Sequence, residues 1–326
     1  LNILTLGDYF RMRYNRTVEV LTTLCIVASY LGWVSAQIKA LGLVFNVVTN
    51  GFVSQTAGMI LGAAIVLTYT TFGGMFAVAV LDFVQMGVIM GGMLYIGYIV
   101  SGMTGGVELV VNHASAAGKL DFFPPPDPWQ WLTFLGAWIT MMLGSIPQQD
   151  VFQRITSAKT STIAIWGSIL GASIYFCFTF VPMFTSYPAS LLFFGAVLAA
   201  IMSCSSATLL APSVAFSENI VRGFYPGMGD HQFLRVMRIA IVVFTLIVLG
   251  FALYSTASIF KMVENAYKVT LAGAFVPLFF GAFWRRATTQ GALTAIFGGL
   301  SSWILVETLI GEASLVPPQL IGLGVS

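Results

Sequence analysis

Long apolar runs separated by short polar connectors dominate this chain. A transmembrane helix needs about 20 consecutive apolar residues, and each run is long enough to cross a bilayer. The pattern predicts nine spans: Val18–Val44, Phe52–Thr71, Ala77–Val100, Trp129–Phe152, Ile163–Thr185, Ser190–Ile220, Val236–Tyr254, Ile259–Trp284 and Gly291–Ile310. Residues 1–326 are therefore predicted to form a single all-α transmembrane domain.

The composition agrees with a location in a lipid bilayer. Charged residues make up 8% of the chain and hydrophobic residues 58%, whereas a soluble domain has about 25% charged residues. A water-facing surface would need many more charges than this chain carries. The net charge of +2 is too small to indicate a nucleic-acid partner.

The basic residues predict the orientation of the spans. If the spans alternate, ten of the 14 lysines and arginines fall on the side of the N-terminus and four on the other. The ten are Arg11, Arg13, Arg16, Arg154, Lys159, Arg222, Arg235, Arg238, Arg285 and Arg286, and the four are Lys39, Lys119, Lys261 and Lys268. Cytoplasmic loops carry the excess of positive charge, so the residues before the first span are predicted to be cytoplasmic in a cell membrane.

The fourth run contains helix breakers. Gly144 and Pro147 lie within four residues of each other, and the polar residues Gln148, Gln149 and Asp150 follow at once. One interpretation is a simple proline kink. The other is a discontinuous helix whose free backbone groups meet a ligand near the middle of the bilayer.

Two further features are unusual for membrane spans. The sixth run places Ser203, Ser206 and Ser213 on one helical face, which suits either close helix packing or coordination of a hard cation. Asp82 lies about one turn into the third span and either lines an ion site or sits near water at the helix end. Glu264 and Lys268 are spaced to neutralise each other on a solvated wall near the external face, with Lys261 beside them.

Several segments of the chain resemble the sodium:solute symporter family, and the resemblance extends over essentially its whole length. These segments are Thr5–Phe10, Tyr69–Val78, Leu81–Gln85, Phe152–Lys159 and Ala199–Ser203. The sequence contains no HExxH, Walker or GxSxG motif, so nothing in it indicates an enzyme. The resemblance implies a LeuT-type inverted-repeat bundle containing core helices three to ten and one further span. The first two core helices would then be missing before Leu1, and residues would be missing near Tyr187–Pro188.

The resemblance also implies ligands for sodium, with no organic cofactor. The principal site would use the Ala200 carbonyl and the Ser203 hydroxyl, with Cys204 standing where the family usually has serine or threonine. A second sodium in some members would correspond to Asp82, Ser203 and Ser206. Ala207 replaces a serine often found there, which favours one sodium per cycle.

The expected substrate is a small organic solute: an amino acid, a choline-like compound, a carboxylate or a sugar. The lining implied by the resemblance has no fixed charge and consists of Tyr30, Trp33, Gln37, Met141, Ser145 and Gln148. Gly144–Gln148 resembles the choline-type branch slightly more than the sugar branch, and Tyr30 or Trp33 could then face a cation.

The predicted function is sodium-coupled symport by alternating access. The alternatives are a membrane-embedded solute-sensing module of a signalling protein and a passive channel.

Overall fold

The computed structural model describes residues 3–103, 106–116, 118, 121, 123–179, 191–311 and 314–326. Within these ranges the regular structure is entirely helical. The helices are α1 Leu6–Arg13, α2 Arg16–Val48, α3 Gln55–Met103, α4 Val107–Ala116, α5 Pro128–Gly144, α6 Gln149–Thr156, α7 Ser161–Phe178, α8 Leu191–Ala215, α9 Arg222–Phe224, α10 Asp230–Tyr254, α11 Ile259–Thr270, α12 Val276–Phe283, α13 Thr289–Leu309 and α14 Pro318–Val325. Two π-helical segments, Phe216–Val221 and Leu271–Phe275, join α8 to α9 and α11 to α12.

Eight of the nine expected spans are found in the described ranges as helices that are each long and apolar enough to cross a membrane. The difference arises in the fourth run, which is split into α5 with 17 residues and α6 with eight. Ser145, Ile146, Pro147 and Gln148 separate the two helices. Pro147 lacks the backbone N–H that a continuous helix requires, so the discontinuous helix is confirmed.

A backbone kink at Gly74 interrupts α3. The φ of Gly74 is 55° and its ψ is −162°, a conformation that glycine adopts readily because it has no Cβ. The two spans predicted here are confirmed as Gln55–Phe76 and Val78–Ile99. Asp82 therefore lies in the segment that follows the kink.

The chain forms two compact units. The first contains Leu1–Ala36, Pro125–Thr156 and Thr208–Ser326, and the second contains Gln37–Pro124 and Ser157–Ala207. Both α2 and α8 continue from one unit into the other along the chain.

In the second unit, helices approach each other closely at glycines, and one helix exposes apolar side chains. A Cβ on Gly42 would lie 2.6 Å from the Gln55 carbonyl oxygen, so α2 and α3 approach with backbone almost in contact. Small residues at helix interfaces of membrane proteins permit this packing. In contrast, α7 buries none of its residues and exposes apolar side chains such as Trp166 and Leu170. This exposure is expected of a helix that faces lipid.

In the first unit a polar network attaches the N-terminal helix α1. Thr5 and Asp8 form a capping box at the start of α1. The Asn219 side-chain amide donates hydrogen bonds of 3.0 Å to Asp8 and to the buried Glu19, whose carboxylate also pairs with Arg16 at 2.7 Å. The buried carboxylate is thus paired and hydrogen-bonded, as a low-dielectric environment requires.

The end of α1 is anchored through one basic side chain, that of Arg13, and one aromatic side chain, that of Tyr14. Arg13 donates hydrogen bonds of 2.9 Å to the carbonyl oxygens of Gly281 and Trp284. The Tyr14 hydroxyl donates to the Pro277 carbonyl at 2.8 Å, and burial raises the pKa of Tyr14 above its ordinary value. Arg13 thus binds the C-terminal end of α12, where helix carbonyls lack helical partners, whereas Tyr14 binds its first turn.

Candidate functional site

The break between α5 and α6 is held open by contacts with α11. The Thr270 hydroxyl donates a hydrogen bond of 2.6 Å to the carbonyl of Gly144, the last residue of α5. A Cβ on Gly144 would lie only 2.5 Å from the Tyr267 carbonyl oxygen. Glycine therefore permits the two backbones to touch at the end of α5, where helix carbonyls lack partners.

A π-helical segment begins directly after Thr270. All five of its residues, Leu271–Phe275, are buried. A Cβ on Gly273 would lie 2.8 Å from the Cys25 sulfur atom, so α2 also packs closely here. Single π-helical turns are common at functional sites because they disturb the regular backbone hydrogen-bonding pattern.

The other side of the break is held by Tyr30 of α2. Its side chain is fully buried, and its hydroxyl donates a short hydrogen bond to the Asp150 carboxylate. The same hydroxyl accepts a hydrogen bond of 2.9 Å from the Asp150 backbone N–H. The second carboxylate oxygen of Asp150 pairs with Arg154 at 3.1 Å. Tyr30 thus fixes the first turn of α6, whose N–H groups have no helical partners.

The neighbouring glutamine attaches α6 to α1. The Gln149 side chain is fully buried and accepts a hydrogen bond of 2.8 Å from the Leu6 N–H. It also donates to the Leu4 carbonyl at 3.4 Å. Gln149 therefore positions the half-helix, while the adjacent Gln148 is buried as well.

Most of the predicted solute-binding residues lie in the first unit. The Trp33 ring lies 5.1 Å from that of Tyr267, which itself contacts Gly144 at the break. Met141 is half-buried, and the Ser145 hydroxyl donates to the Met142 carbonyl at 2.9 Å. Gln37 is buried and belongs to the second unit.

The predicted sodium ligands all lie in the second unit. The Tyr69 hydroxyl donates a hydrogen bond of 2.7 Å to the Met202 carbonyl. It also shares a hydrogen bond with the Ser206 side chain and lies within electrostatic reach of Asp82. The structure therefore brings Asp82 and the buried Ser206 to the same tyrosine.

The remaining predicted sodium ligands are on α8. Ala200 is half-buried and Cys204 is exposed. Ser203 lies within α8, but its side chain is outside the described part of the structure. The Ser205 hydroxyl donates to the Ile201 carbonyl of its own helix at 2.6 Å. Hydroxyls in membrane helices often bond this way, so Ser205 is a packing residue rather than a candidate ligand.

Lys261, Glu264 and Lys268 of α11 form a charged cluster with Glu307 of α13, and one of its lysines is more buried than the sequence predicts. Lys268 pairs with Glu264 at 3.5 Å, and Lys261 pairs with Glu264 at 3.4 Å, as the spacing predicts. However, the Lys268 side chain is only 3% exposed, so the expected solvated wall is wrong at this residue. Glu307 supplies a second carboxylate at 3.2 Å, which compensates the buried ammonium.

Sequence reasoning missed several residues of these networks. Asp150 follows the break directly, and its charge within a predicted span was an available signal. Tyr69 stands in a segment that carries the family resemblance, but nothing local indicates the partner of its hydroxyl. Tyr267 and Glu307 gave no local signal because their partners are distant in sequence.

The fold and the broken helix define an all-helical membrane protein with transporter-like architecture. The structure resembles that of a Na+-coupled sialic acid symporter in a substrate-bound outward-open state, with a TM-score of 0.72 and 16% identity. The similarity covers 98% of this chain and 75% of that protein. The fold is therefore the LeuT-type fold expected from the sequence.

The chain belongs to the sodium:solute symporter family. The family's sequence profile matches residues 1–189 and 186–299. The two matches meet at the place where the sequence predicts a shortened junction; residues 180–190 lie outside the described structure.

Curated relatives agree with this membership. The chain is 24% identical to the osmoregulated proline transporter OpuE of Bacillus subtilis, over 93% of the chain and 68% of the relative. It is 26% identical to the high affinity choline transporter 1 of Homo sapiens, over 91% and 57%, and 26% identical to the sodium/proline symporter of Haemophilus influenzae, over 91% and 67%. The chain spans 57–68% of the length of these relatives.

Proposed function

We propose that this protein is a sodium-coupled symporter that accumulates a small organic solute by alternating access. The break between α5 and α6 is the observation that carries the proposal. Irregular backbone inside a membrane is tolerated only where protein buries it or where it lines a cavity. In secondary transporters such discontinuous helices bind substrate and coupling ions.

Solute recognition is proposed at the break between α5 and α6. Trp33, Met141, Ser145 and Gln148 would contact the solute. Tyr30 is proposed to act mainly by positioning α6, because both hydrogen bonds of its hydroxyl go to Asp150. The aromatic and polar character of these residues suits an amino acid or a choline-like cation better than an anion.

Sodium is proposed to bind on α8, where the Ala200 carbonyl and the Ser203 hydroxyl are the first ligands. The exposed Cys204 carries a soft sulfur atom, which is a poor ligand for a hard cation. We therefore propose that its thiol does not bind the sodium ion. Asp82 and Ser206 form the alternative position, supported by their common neighbour Tyr69. We propose that one sodium ion is transported per cycle.

The proposed coupling is a difference in affinity between two conformations. Sodium stabilises the arrangement that binds solute from outside, and solute must then raise the affinity for sodium by the same factor. We further propose that the residues before α2 are cytoplasmic and that the protein resides in the cell membrane, because the basic residues are distributed ten to four.

The decisive experiment measures uptake of a panel of labelled solutes by the full-length protein in proteoliposomes, with an inward sodium gradient or with potassium instead. We expect uptake of one solute class to require sodium and to run uphill. Uptake that only equilibrates the solute would indicate a channel, and binding without uptake would favour the sensing module.

Ser203→Ala tests the sodium ligand. Loss of a ligand contributing about 1.4 kcal/mol should raise the sodium concentration for half-maximal uptake about tenfold. The matched control is Ser205→Ala, which removes a hydroxyl bonded to its own helix. An unchanged sodium dependence in Ser203→Ala, or an equal change in the control, would contradict the assignment.

A further inference from the structure

An open cavity of about 610 Å³ lies where the connection between α9 and α10 meets the first turns of α10. Two aromatic side chains, Phe224 and Tyr225, form part of its wall and are 73% and 68% exposed. Gln232 and Arg235 of α10 also line the cavity. Exposed aromatic side chains are typical of the interface between a membrane and water, so we expect the cavity to lie at that level.

Three arginines lie in or beside this region, and they differ in their partners. Arg222 pairs with Glu218 at 2.9 Å and lies within electrostatic reach of Asp230. The side chains of Arg235 and Arg238 are exposed, and neither forms an ion pair or a hydrogen bond with any residue that the structure describes. The nearby carboxylates therefore balance Arg222, while Arg235 and Arg238 present two positive charges to their surroundings.

Arg235 and Arg238 lie at one end of an exposed apolar face of α10. A period of 3.6 residues per turn places Ile239, Val242 and Leu246 on the face that carries the two arginines. These three apolar side chains are 57%, 38% and 61% exposed. At 1.5 Å per residue, the length of helix from Arg235 to Leu246 is about 16 Å, close to half of the roughly 30 Å hydrocarbon thickness of a bilayer. The face therefore matches the depth of one leaflet.

This combination of a basic end and an apolar face indicates the chemistry of the ligand. Guanidinium groups bind phosphate oxygens through paired, charge-assisted hydrogen bonds. A free phosphate would use only the arginines, whereas a phospholipid would also cover the apolar face of α10. An anionic headgroup fits better than phosphatidylcholine, because the choline cation of the latter offsets the charge that the arginines would bind.

We propose that this region binds one anionic phospholipid. Arg235 and Arg238 bind its phosphate, and its headgroup occupies the cavity beside Tyr225. One acyl chain lies along the exposed face of α10 between Ile239 and Leu246. Under the proposed orientation the lipid belongs to the cytoplasmic leaflet, which holds the anionic lipids of a cell membrane. The site is separate from the proposed sodium and solute sites and does not depend on symport.

The test is native mass spectrometry of the full-length protein in detergent, titrated with phosphatidylglycerol, which is anionic, or with phosphatidylcholine, which has no net charge. The test variant combines Arg235→Gln with Arg238→Gln. The matched control combines Arg285→Gln with Arg286→Gln, because these two arginines are also exposed and lie outside the cavity. Both double variants remove two positive charges from the same side of the proposed topology, so they differ only in where the charge is lost.

We expect phosphatidylglycerol to bind the unmodified protein more tightly than phosphatidylcholine. An arginine near an anionic lipid headgroup contributes about fivefold in affinity, so the test variant should raise the dissociation constant of phosphatidylglycerol about thirtyfold. The control variant should change this constant much less, and phosphatidylcholine should bind both variants equally. An equal loss in the two variants, or an unchanged constant in the test variant, would overturn the proposal.

Glycerol 3-phosphate distinguishes a lipid site from a site for free phosphate. It carries a phosphate without acyl chains and cannot cover the apolar face of α10, so an excess of it should leave phosphatidylglycerol bound. Displacement of the lipid by this soluble phosphate would overturn the proposal and assign the arginines to a free phosphate. Neither sodium nor a transported solute is present, so failure of this test leaves symport intact, and failure of sodium-driven uptake leaves the lipid site intact.

Discussion

The Tyr30 hydroxyl gives a direct test of how the half-helix α6 is positioned. Tyr30→Phe removes one oxygen from a fully buried side chain and keeps the ring that packs around it. The Asp150 N–H then loses its acceptor, and the Asp150 carboxylate loses one of its donors. The change therefore removes two hydrogen bonds at the first turn of α6.

The expected effect is local opening of α6. Each lost hydrogen bond contributes about 1 kcal/mol, so the opening free energy should fall by about 2 kcal/mol. This corresponds to about thirtyfold faster amide exchange. Arg154 still pairs with the second carboxylate oxygen, which limits the loss to the first turn.

The assay is hydrogen–deuterium exchange with mass spectrometry on peptides covering residues 146–156. Peptides from α13 report whether the effect spreads to the rest of the protein. Tyr254→Phe is the matched control, because this tyrosine is 89% exposed at the end of α10. Unchanged exchange at residues 146–156, or equal acceleration in α13, would refute the role of Tyr30.

Two further substitutions test the break and the acidic residue of the second unit. Gly144→Ala should destabilise the protein by about 1–3 kcal/mol in thermal unfolding, because the added Cβ meets the Tyr267 carbonyl at 2.5 Å. The same change at Gly171, which has nothing within 4 Å, should stabilise α7 by about 0.5–1 kcal/mol, and equal effects at both glycines would contradict the packing argument. Asp82→Asn should reduce sodium-coupled uptake at least severalfold, because it removes the negative charge near Tyr69, the hydrogen-bond partner of Ser206; full coupling in this variant would assign Asp82 a purely structural role.

The membrane-spanning helices and the broken helix could be predicted because their signals are local. Run length alone determines which segments can cross a bilayer. Gly144 and Pro147 interrupt the fourth run within four residues, and the polar residues follow directly. The ninth expected span, the fourth run, is present as a 17-residue helix followed by an eight-residue helix rather than as one continuous helix.

The partners of the polar side chains could not be predicted in the same way. Tyr30 and Asp150 are 120 positions apart, and Lys268 and Glu307 are 39 apart. Which faces of two helices meet depends on how ridges, grooves and small residues pack, and no local pattern records that. Lys268, which the sequence predicts to be solvated, is therefore buried and pairs with two carboxylates.

The sequence by itself determined the solvent of this protein, the approximate limits of its helices and the family to which it belongs. These properties follow from composition, run length and short motifs, all of which can be read directly from the sequence. Only the tertiary structure decided that Tyr30 positions the half-helix, that Asp82 and Ser206 lie near the same tyrosine, Tyr69, and that Lys268 pairs with Glu307. These relations depend on side chains brought together by packing, so they exist only once the helices are assembled.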